Sequence, residues 1–248
     1  MTAVYRMAVL VPTYDNPSTV RSVVEAARRY VPDVLVVDDG SGPAGQRACA
    51  ELEQAGLAKL VRREHNGGKG AAVKTGLEAL RELGFSHAFQ IDADGQHAIH
   101  DMPRFLAASE SHPKALVLGT PEFDSSAPRT RLIGRQITSF WTNVETLGHV
   151  IRDPMCGFRV YPIETALAAN ARGNAMDFDP EIAVCIAWTG APVLNLATRV
   201  RYLSREQGGV SHFRLLRDNV LISWMHTRMV LALLFRLLFR TRPRRIRT

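Results

Sequence analysis

Two uninterrupted apolar runs, Met7-Ala8-Val9-Leu10-Val11 and Val34-Leu35-Val36-Val37, each stop at a polar turn, and a single amphipathic segment lies between them. Runs without polar alternation fit strands covered on both faces, as in a mainly parallel sheet. Asn16-Pro17-Ser18 caps the intervening helix, which carries Val20, Val23, Val24 and Ala27 on one side. A strand, a helix and a second strand in one sheet close with right-handed connectivity, and ligands of such sheets bind beyond the carboxyl ends of the strands. Pro12-Thr13-Tyr14 and Asp38-Asp39-Gly40-Ser41 stand at those ends. The first turn has no Gly-x-Gly-x-x-Gly, which disfavours a dinucleotide-dependent hydride transfer. Asp38 and Asp39 can accept hydrogen bonds from a ribose or a base edge, and turn chemistry alone also accounts for one of them.

The densest chemistry follows the apolar run Ala88-Phe89-Gln90-Ile91, in Asp92-Ala93-Asp94-Gly95-Gln96-His97. With extended backbone through Ala93, Asp92 and Asp94 project to one side, and a turn at Gly95 brings Gln96 back toward them. Such oxygen donors suit Mg²⁺ or Mn²⁺, completed by water and phosphate oxygens. Asn66-Gly67-Gly68-Lys69-Gly70 follows a strand near residues 59–61 and opens a helix over 71–83; free amides and the Lys69 charge suit a phosphate, although the spacing is not that of a P-loop.

A helix is expected over 102–111, a buried strand over 115–119, a polar, mobile rim loop over 120–130, and a long helix led by Arg129, Arg131 and Arg135 through residue 148. Asp153-Pro154-Met155-Cys156-Gly157-Phe158-Arg159 is a compact turn with an acid and a base. Its Cys156 has no His nearby in sequence and reads as packing. Phe178-Asp179-Pro180-Glu181 starts a helix, and its acids either cap the helix or act as a base. Arg205, Gly208, Gly209, Ser211 and His212 form a last polar loop.

Taken together, Pro12-Thr13-Tyr14, Val36-Val37-Asp38-Asp39-Gly40-Ser41, Asn66 to Gly70, Asp92 to Gln96, the Cys156-Gly157-Phe158-Arg159 turn, residues 178–181 and Arg205-Glu206-Gln207-Gly208-Gly209-Val210-Ser211 resemble family 2 glycosyltransferases. The resemblance is to the dolichyl- or polyprenyl-phosphate sugar synthase branch and runs from about residue 9 to residue 213. It implies a GT-A fold, Rossmann-like with a mainly parallel sheet flanked by helices, and an inverting transfer of a sugar from a nucleotide diphosphate donor, UDP- or GDP-linked. By the same resemblance Pro12, Tyr14 and Asp39 line the nucleoside, and Asp92, Asp94 and Gln96 hold the metal at the diphosphate. Lys69 lies near the donor phosphates, and Arg135, Arg159 and Arg205 near the acceptor or leaving group. Two departures from the pattern, Asp15-Asn16 in place of Asn-Glu and no acid in Gly42-Pro43-Ala44, adjoin the nucleoside pocket.

A chain of 248 residues can bury one large α/β core, here expected over residues 1–212 with an appendage over 213–248. Six arginines, Arg236, Arg240, Arg242, Arg244, Arg245 and Arg247, account for nearly all of the net charge of +7. The body is then close to neutral, which argues against nucleic acid as a partner and for an anionic membrane surface. Residues 213–239 are broadly apolar but interrupted by charge, with the longest uncharged apolar run over 229–235, far below the roughly 20 residues of a spanning helix. An interfacial amphipathic segment is expected, with packing on the body or on a second subunit as the alternatives. Three unpaired cysteines and no signal-peptide core point to the cytosol, at the inner membrane face.

The acceptor turns on chemistry. A polyprenyl phosphate is already anionic, whereas a hydroxyl on another lipid or glycan needs a base, for which Asp179 and Glu181 are the candidates. Arg135, Arg159 and Arg205 favour the phosphate. A membrane-tethered protein that binds nucleotide-sugars without turnover is the alternative from another class.

Overall fold

The computed structural model describes residues 4–123, 129–148, 150–201 and 213–239. Both apolar runs are strands, β1 (Met7–Thr13) and β2 (Val34–Asp38), and the capped segment between them is helix α1 (Val20–Arg28). The chain continues through α2 (Pro43–Gln54), β3 (Lys59–Arg62), α3 (Lys69–Glu82), β4 (His87–Gln90), α4 (Met102–Ser111) and β5 (Leu116–Phe123). After these come α5 (Arg129–Glu145), β6 (Arg159–Pro162), α6 (Ile163–Ala168), α7 (Phe178–Trp188), β7 (Val193–Val200) and α8 (Leu215–Leu238).

One seven-stranded sheet runs in the order β3-β2-β1-β4-β6-β5-β7, parallel throughout except for β6, which is antiparallel to both neighbours. The strand order reverses at β1, which pairs with β2 on one side and β4 on the other, so a crevice opens beyond their carboxyl ends. Successive residues of β1 feed opposite layers. Ala8 and Leu10 join Leu35, Leu118 and Tyr161 under α3, α6 and α7, while Val9 and Val11 join Val36, Phe89 and Phe158 under α1, α2 and α4. Coverage of both faces is why these strands carry no polar alternation.

Residues 120–123, expected to begin a loop, instead extend β5 along the full length of β7. Residues 124–128 lie outside the described residues.

The C-terminal segment is one helix of 24 residues, long and apolar enough by length and composition to cross a membrane, a reach that the charge interruptions had argued against. Its buried stripe, Asp218, Ile222, Met225, His226, Met229 and Leu233, packs on α5 and α7, and Ile222, Met225 and Met229 belong to the same core as Leu10 and Tyr161. Two of the interrupting polar side chains are used inside the protein: Arg228 pairs with Glu181, and His226 hydrogen-bonds Glu145.

Candidate active site

The Asp92 turn hangs between three supports. Ile91 N–H donates to the Leu10 carbonyl, the Thr19 hydroxyl at the start of α1 donates to the Ala93 carbonyl at 2.6 Å, and Arg201 N–H donates to the Gln96 carbonyl at 3.0 Å. Gly95 has φ 73°, the left-handed conformation that the expected turn requires. Asp94 accepts the Gln96 backbone N–H at 3.1 Å. Burial and then the Asp92 charge push the Asp94 carboxyl above its usual range. Asp92 goes the other way: burial works against its charge, but Lys69 and His97 outweigh it and hold the carboxyl far below the usual range.

Lys69 is the hub. Its ammonium lies 2.8 Å from the Asp92 carboxylate and 2.7 Å from Oδ2 of Asp179, at the start of α7, and these carboxylates keep it protonated despite burial. The glycines before it are only partly the phosphate cradle that their composition suggests. Gly67 and Gly68 N–H donate to Asp39 at 3.1 and 2.8 Å, and Ala71 N–H donates to the Asn174 carbonyl at 3.0 Å. Gly68 has φ 96° and lies so close to the Asn174 carbonyl that a Cβ would collide with it. The loop is thus built to seat against the turn before α7 as well as to face the cavity.

Asp39 also accepts from Arg63 Nε at 2.7 Å, so its first task is to anchor this loop; it nevertheless lines the cavity with Pro12 and Tyr14. Asp38 does turn chemistry: it accepts Ser41 N–H at 3.0 Å and pairs with Arg62.

Two expected roles change. Arg159 was expected near the acceptor, but it is wholly buried, and its guanidinium donates to the carbonyls of Cys156, Pro154 and Asp179 at 2.7, 2.9 and 2.9 Å. It braces the turn over residues 153–158 and the start of α7 from below. Glu181, a candidate base, accepts Arg172 and Gly173 N–H at 3.0 and 2.8 Å and both Nη atoms of Arg228 at 2.9 and 3.0 Å. Burial would raise its carboxyl, yet Arg228 and the two amides hold it below the usual range. It fastens α8 to the loop before α7.

Asp179 stays in the cavity wall with one oxygen on Lys69 and the other without a hydrogen bond. Arg135 also lines the cavity, in a two-pronged pair with Asp153 at 2.7 and 2.8 Å. The Asp153 turn leads to Gly157, where a Cβ would collide with the Asp92 carboxyl, so the turn presses directly against the site. Arg205 lies outside the described residues. Cys156 is buried, and burial pushes its thiol up to about 12, which agrees with packing.

Sequence reasoning passed over His97, though it directly follows Gln96. The ring stacks on Phe158 with centroids 5.4 Å apart and sets Nε2 3.7 Å from Asp92. It also passed over the pairing of Arg228 and of Glu145, whose partners are far away in sequence.

One cavity of about 1290 Å³ takes in Asp39, Lys69, Asp92, Asp94, His97, Arg135 and Asp179. Its floor is Pro12, Tyr14, Asp39, Lys69, Asp92 and Asp94, and it continues between α5 and α8, past Arg131, Ile137 and Trp141 on one wall and Arg217, Ile222 and Leu231 on the other. Beside the cleft, α5 exposes Ile133, Ile137 and Phe140, and α8 exposes Leu216, Val220, Trp224, Leu231 and Phe235. Large apolar surfaces of this kind mark interaction sites where they are contiguous.

Among the described residues no group of three His, Cys, Asp or Glu side chains is arranged to hold a metal ion. The donor set over 92–96 still fits one, because among the described residues Asp94 has one backbone donor for its two oxygens and a second carboxylate beside it. A hard divalent cation held by Asp92 and Asp94 would relieve that repulsion.

A family model described as Glycosyl transferase family 2 matches residues 8–165, more than half of the chain. Among curated proteins, a polyprenol monophosphomannose synthase of Mycolicibacterium smegmatis is 30% identical over 187 residues, covering 70% of each chain. A UDP-N-acetylglucosamine--dolichyl-phosphate N-acetylglucosaminyltransferase of Methanococcus voltae is 28% identical, over 61% of this chain and 67% of its own. Among solved structures, glucosyl-3-phosphoglycerate synthase from Mycobacterium tuberculosis, in complex with Mn²⁺ and UDP-glucose, shares the fold with a TM-score of 0.65 at 18% identity, over 94% of this chain and 79% of that one.

Proposed function

The chain belongs to the family 2 glycosyltransferases, and from that premise we propose that it moves a sugar, with inversion, from a nucleoside diphosphate to a polyprenyl phosphate at the cytosolic face of a membrane. The observation that carries the proposal is the single cavity, in which the carboxylates and Lys69 at the sheet's crevice open directly into the apolar cleft between α5 and α8. A donor with a charged diphosphate fits the first part and a lipid chain the second.

In this reading the nucleoside lies against Pro12 and Tyr14, with Asp39 holding the loop that closes over it. Asp92 and Asp94, with Gln96, hold Mg²⁺ or Mn²⁺, which when bound supplies positive charge to the departing diphosphate. Lys69 adds an ammonium on the same side, released from Asp92 as the donor enters. The lipid phosphate oxygen attacks the anomeric carbon from the face opposite the leaving group, aligned by Arg131 and Arg135 at the mouth of the cleft. No protein base is needed, because the acceptor is already an anion.

The arrangement supports this acceptor over a hydroxyl. Glu181 is saturated by Arg228 and two amides, and Asp179 is paired with the Lys69 ammonium, so neither is poised to take a proton. Residues 1–212 then form the catalytic part and 213–248 the membrane-facing part, with exposed α5 side chains sharing the second task. The arginines that follow α8 add about 1 kcal/mol each near anionic lipid.

The test is transfer of label from UDP- and GDP-hexoses, with Mn²⁺ or Mg²⁺, into the organic phase in the presence of polyprenyl phosphate. Label is expected in a lipid that mild acid cleaves. Donor binding without any lipid product would overturn the proposal and favour a tethered binding protein.

A further inference from the structure

Lys69 is the first residue of α3, and the backbone on either side of it is fastened. Gly67 and Gly68 N–H donate to Asp39, and Ala71 N–H donates to the Asn174 carbonyl. Both flanking glycines are in close contact with the segment that leads into α7: a Cβ at Gly68 would collide with the Asn174 carbonyl, and one at Gly70 with the Phe178 side chain. With the loop seated in this way, what can move at position 69 is the side chain, four methylenes ending in an ammonium.

That ammonium stands 2.8 Å from each oxygen of the Asp92 carboxylate, astride the pair as a chelated cation would be. Gly157 presses on the same carboxyl, and Oδ1 of Asp92 is shielded from water. A divalent cation and an ammonium about 4 Å apart repel each other, so Asp92 cannot serve both. Asp179 has no such conflict. Its Oδ2 lies 2.7 Å from the ammonium, and its side chain is 5% exposed. Arg159 holds it from below, donating to its backbone carbonyl at 2.9 Å with Nη1 3.7 Å from Oδ1. An ammonium has three hydrogens, so one can stay on Asp179 while the others leave Asp92 for a new partner. Lys69, Asp92 and Asp179 all line the large cavity, where a diphosphate is a partner of the right charge.

We propose that the Lys69 ammonium takes the cation's place on Asp92 until a donor enters, and then passes to the diphosphate while Asp179 keeps hold of it. Cation and nucleoside diphosphate therefore bind as one unit, and the aspartates do not load with free cation beforehand. The inference rests on the donor and cation sites proposed above and adds the order in which they fill. It also makes Asp179 a positioning residue for Lys69.

The full chain and Lys69→Met are titrated with Mn²⁺, free Mn²⁺ being read by electron paramagnetic resonance, without nucleotide and with saturating UDP or GDP. Without nucleotide the variant is expected to bind Mn²⁺ roughly tenfold more tightly than wild type, a gain that a folding defect cannot produce. Nucleotide tightens Mn²⁺ binding in both by chelation. Wild type is expected to show a factor roughly tenfold larger, because only there does the donor also draw an ammonium off Asp92. Equal or weaker Mn²⁺ binding by a folded variant, or the same nucleotide factor in both proteins, overturns the inference. The unaltered protein labelled with ¹⁵N-lysine gives a second reading that depends on no variant's folding. The Lys69 Nζ resonance, assigned by its loss in Lys69→Arg, is expected to shift in step with Mg²⁺ occupancy; Mg²⁺ that binds by calorimetry while this resonance stays in place overturns the inference as well. Neither reading needs sugar transfer. A chain that binds neither nucleotide would refute the donor assignment, while the nucleotide-free comparison still decides the exchange on Asp92.

Discussion

Glu181→Gln separates a clamp from a base. The carboxylate is 2% exposed in its side chain and accepts four hydrogen bonds, two from Arg228 and two from the amides of Arg172 and Gly173. A carboxamide keeps the shape but turns one acceptor into a donor that faces other donors, and it leaves the Arg228 charge without a counter-charge. Breaking a buried pair by removing one partner costs about 3–5 kcal/mol. The Arg228 side chain is 24% exposed, so water recovers part of this, and about 2–3 kcal/mol is expected.

For a chain of this length each kcal/mol shifts Tm by about 2–4 °C, which gives a drop of about 4–12 °C in calorimetry or circular dichroism. Transfer assayed well below the transition should stay within several-fold of wild type. A double-mutant cycle with Arg228→Met should return a coupling of roughly 1–3 kcal/mol. The folded carboxyl is held below its usual range, so the stabilisation is present above the unfolded value near 4.5 and is lost as pH falls through the lower folded value. A Tm equal to wild type together with a loss of roughly 10² or more in kcat would refute the clamp and restore Glu181 as the base.

Gly157→Ala places a Cβ against the Asp92 carboxyl, so Mn²⁺ binding measured by calorimetry should be lost while the circular dichroism spectrum is kept; wild-type affinity would contradict the close approach. The Asp94 carboxyl titrates above its usual range, so protons compete with the cation as pH falls through that raised value, and log Kd for Mn²⁺ should worsen by about one per pH unit there; a flat profile would remove Asp94 from the ligand set. Phe140→Glu combined with Trp224→Glu should abolish flotation with anionic vesicles and leave nucleotide binding intact, since both side chains are exposed and neither lines the cavity; flotation unchanged by the pair would assign that face to another use.

The first half of the sheet and its crevice were legible because the signals are local. Unbroken apolar runs gave β1 and β2, and Gly95 marked the turn after Asp92, although the backbone is not extended through Ala93 as expected: Ala93 and Asp94 already belong to the turn. Helix α2 was not legible: its N-cap, Gly42, has no side chain and is held from a distance, its N–H donating to the carboxylate of Asp15, 27 positions earlier, at 2.8 Å. The two departures from the family pattern are thus partners in one contact. Strand β7 mixes polar and half-buried residues along an edge, where the hydrophobic pattern fades. The site residues divide in the same way. Asp92, Asp94 and Lys69 face a common cavity as their residue types suggest. An arginine in sequence looks alike whether it meets a phosphate or three backbone carbonyls, which is why Arg159 was taken for a ligand contact. Glu181 and Glu145 find their partners 47 and 81 residues away, beyond the reach of any local pattern.

The central claim is that the acceptor attacks as a preformed anion and that no side chain serves as its base. The direct measurement is the ratio of kcat/KM for sugar transfer to a polyprenyl phosphate and to the polyprenol of the same chain length, with one donor and saturating cation. The account predicts a preference for the phosphate of roughly 10² or more, because Asp179 and Glu181, the two candidate bases, are held by Lys69 and Arg228. Equal rates, or a preference for the alcohol, would contradict it.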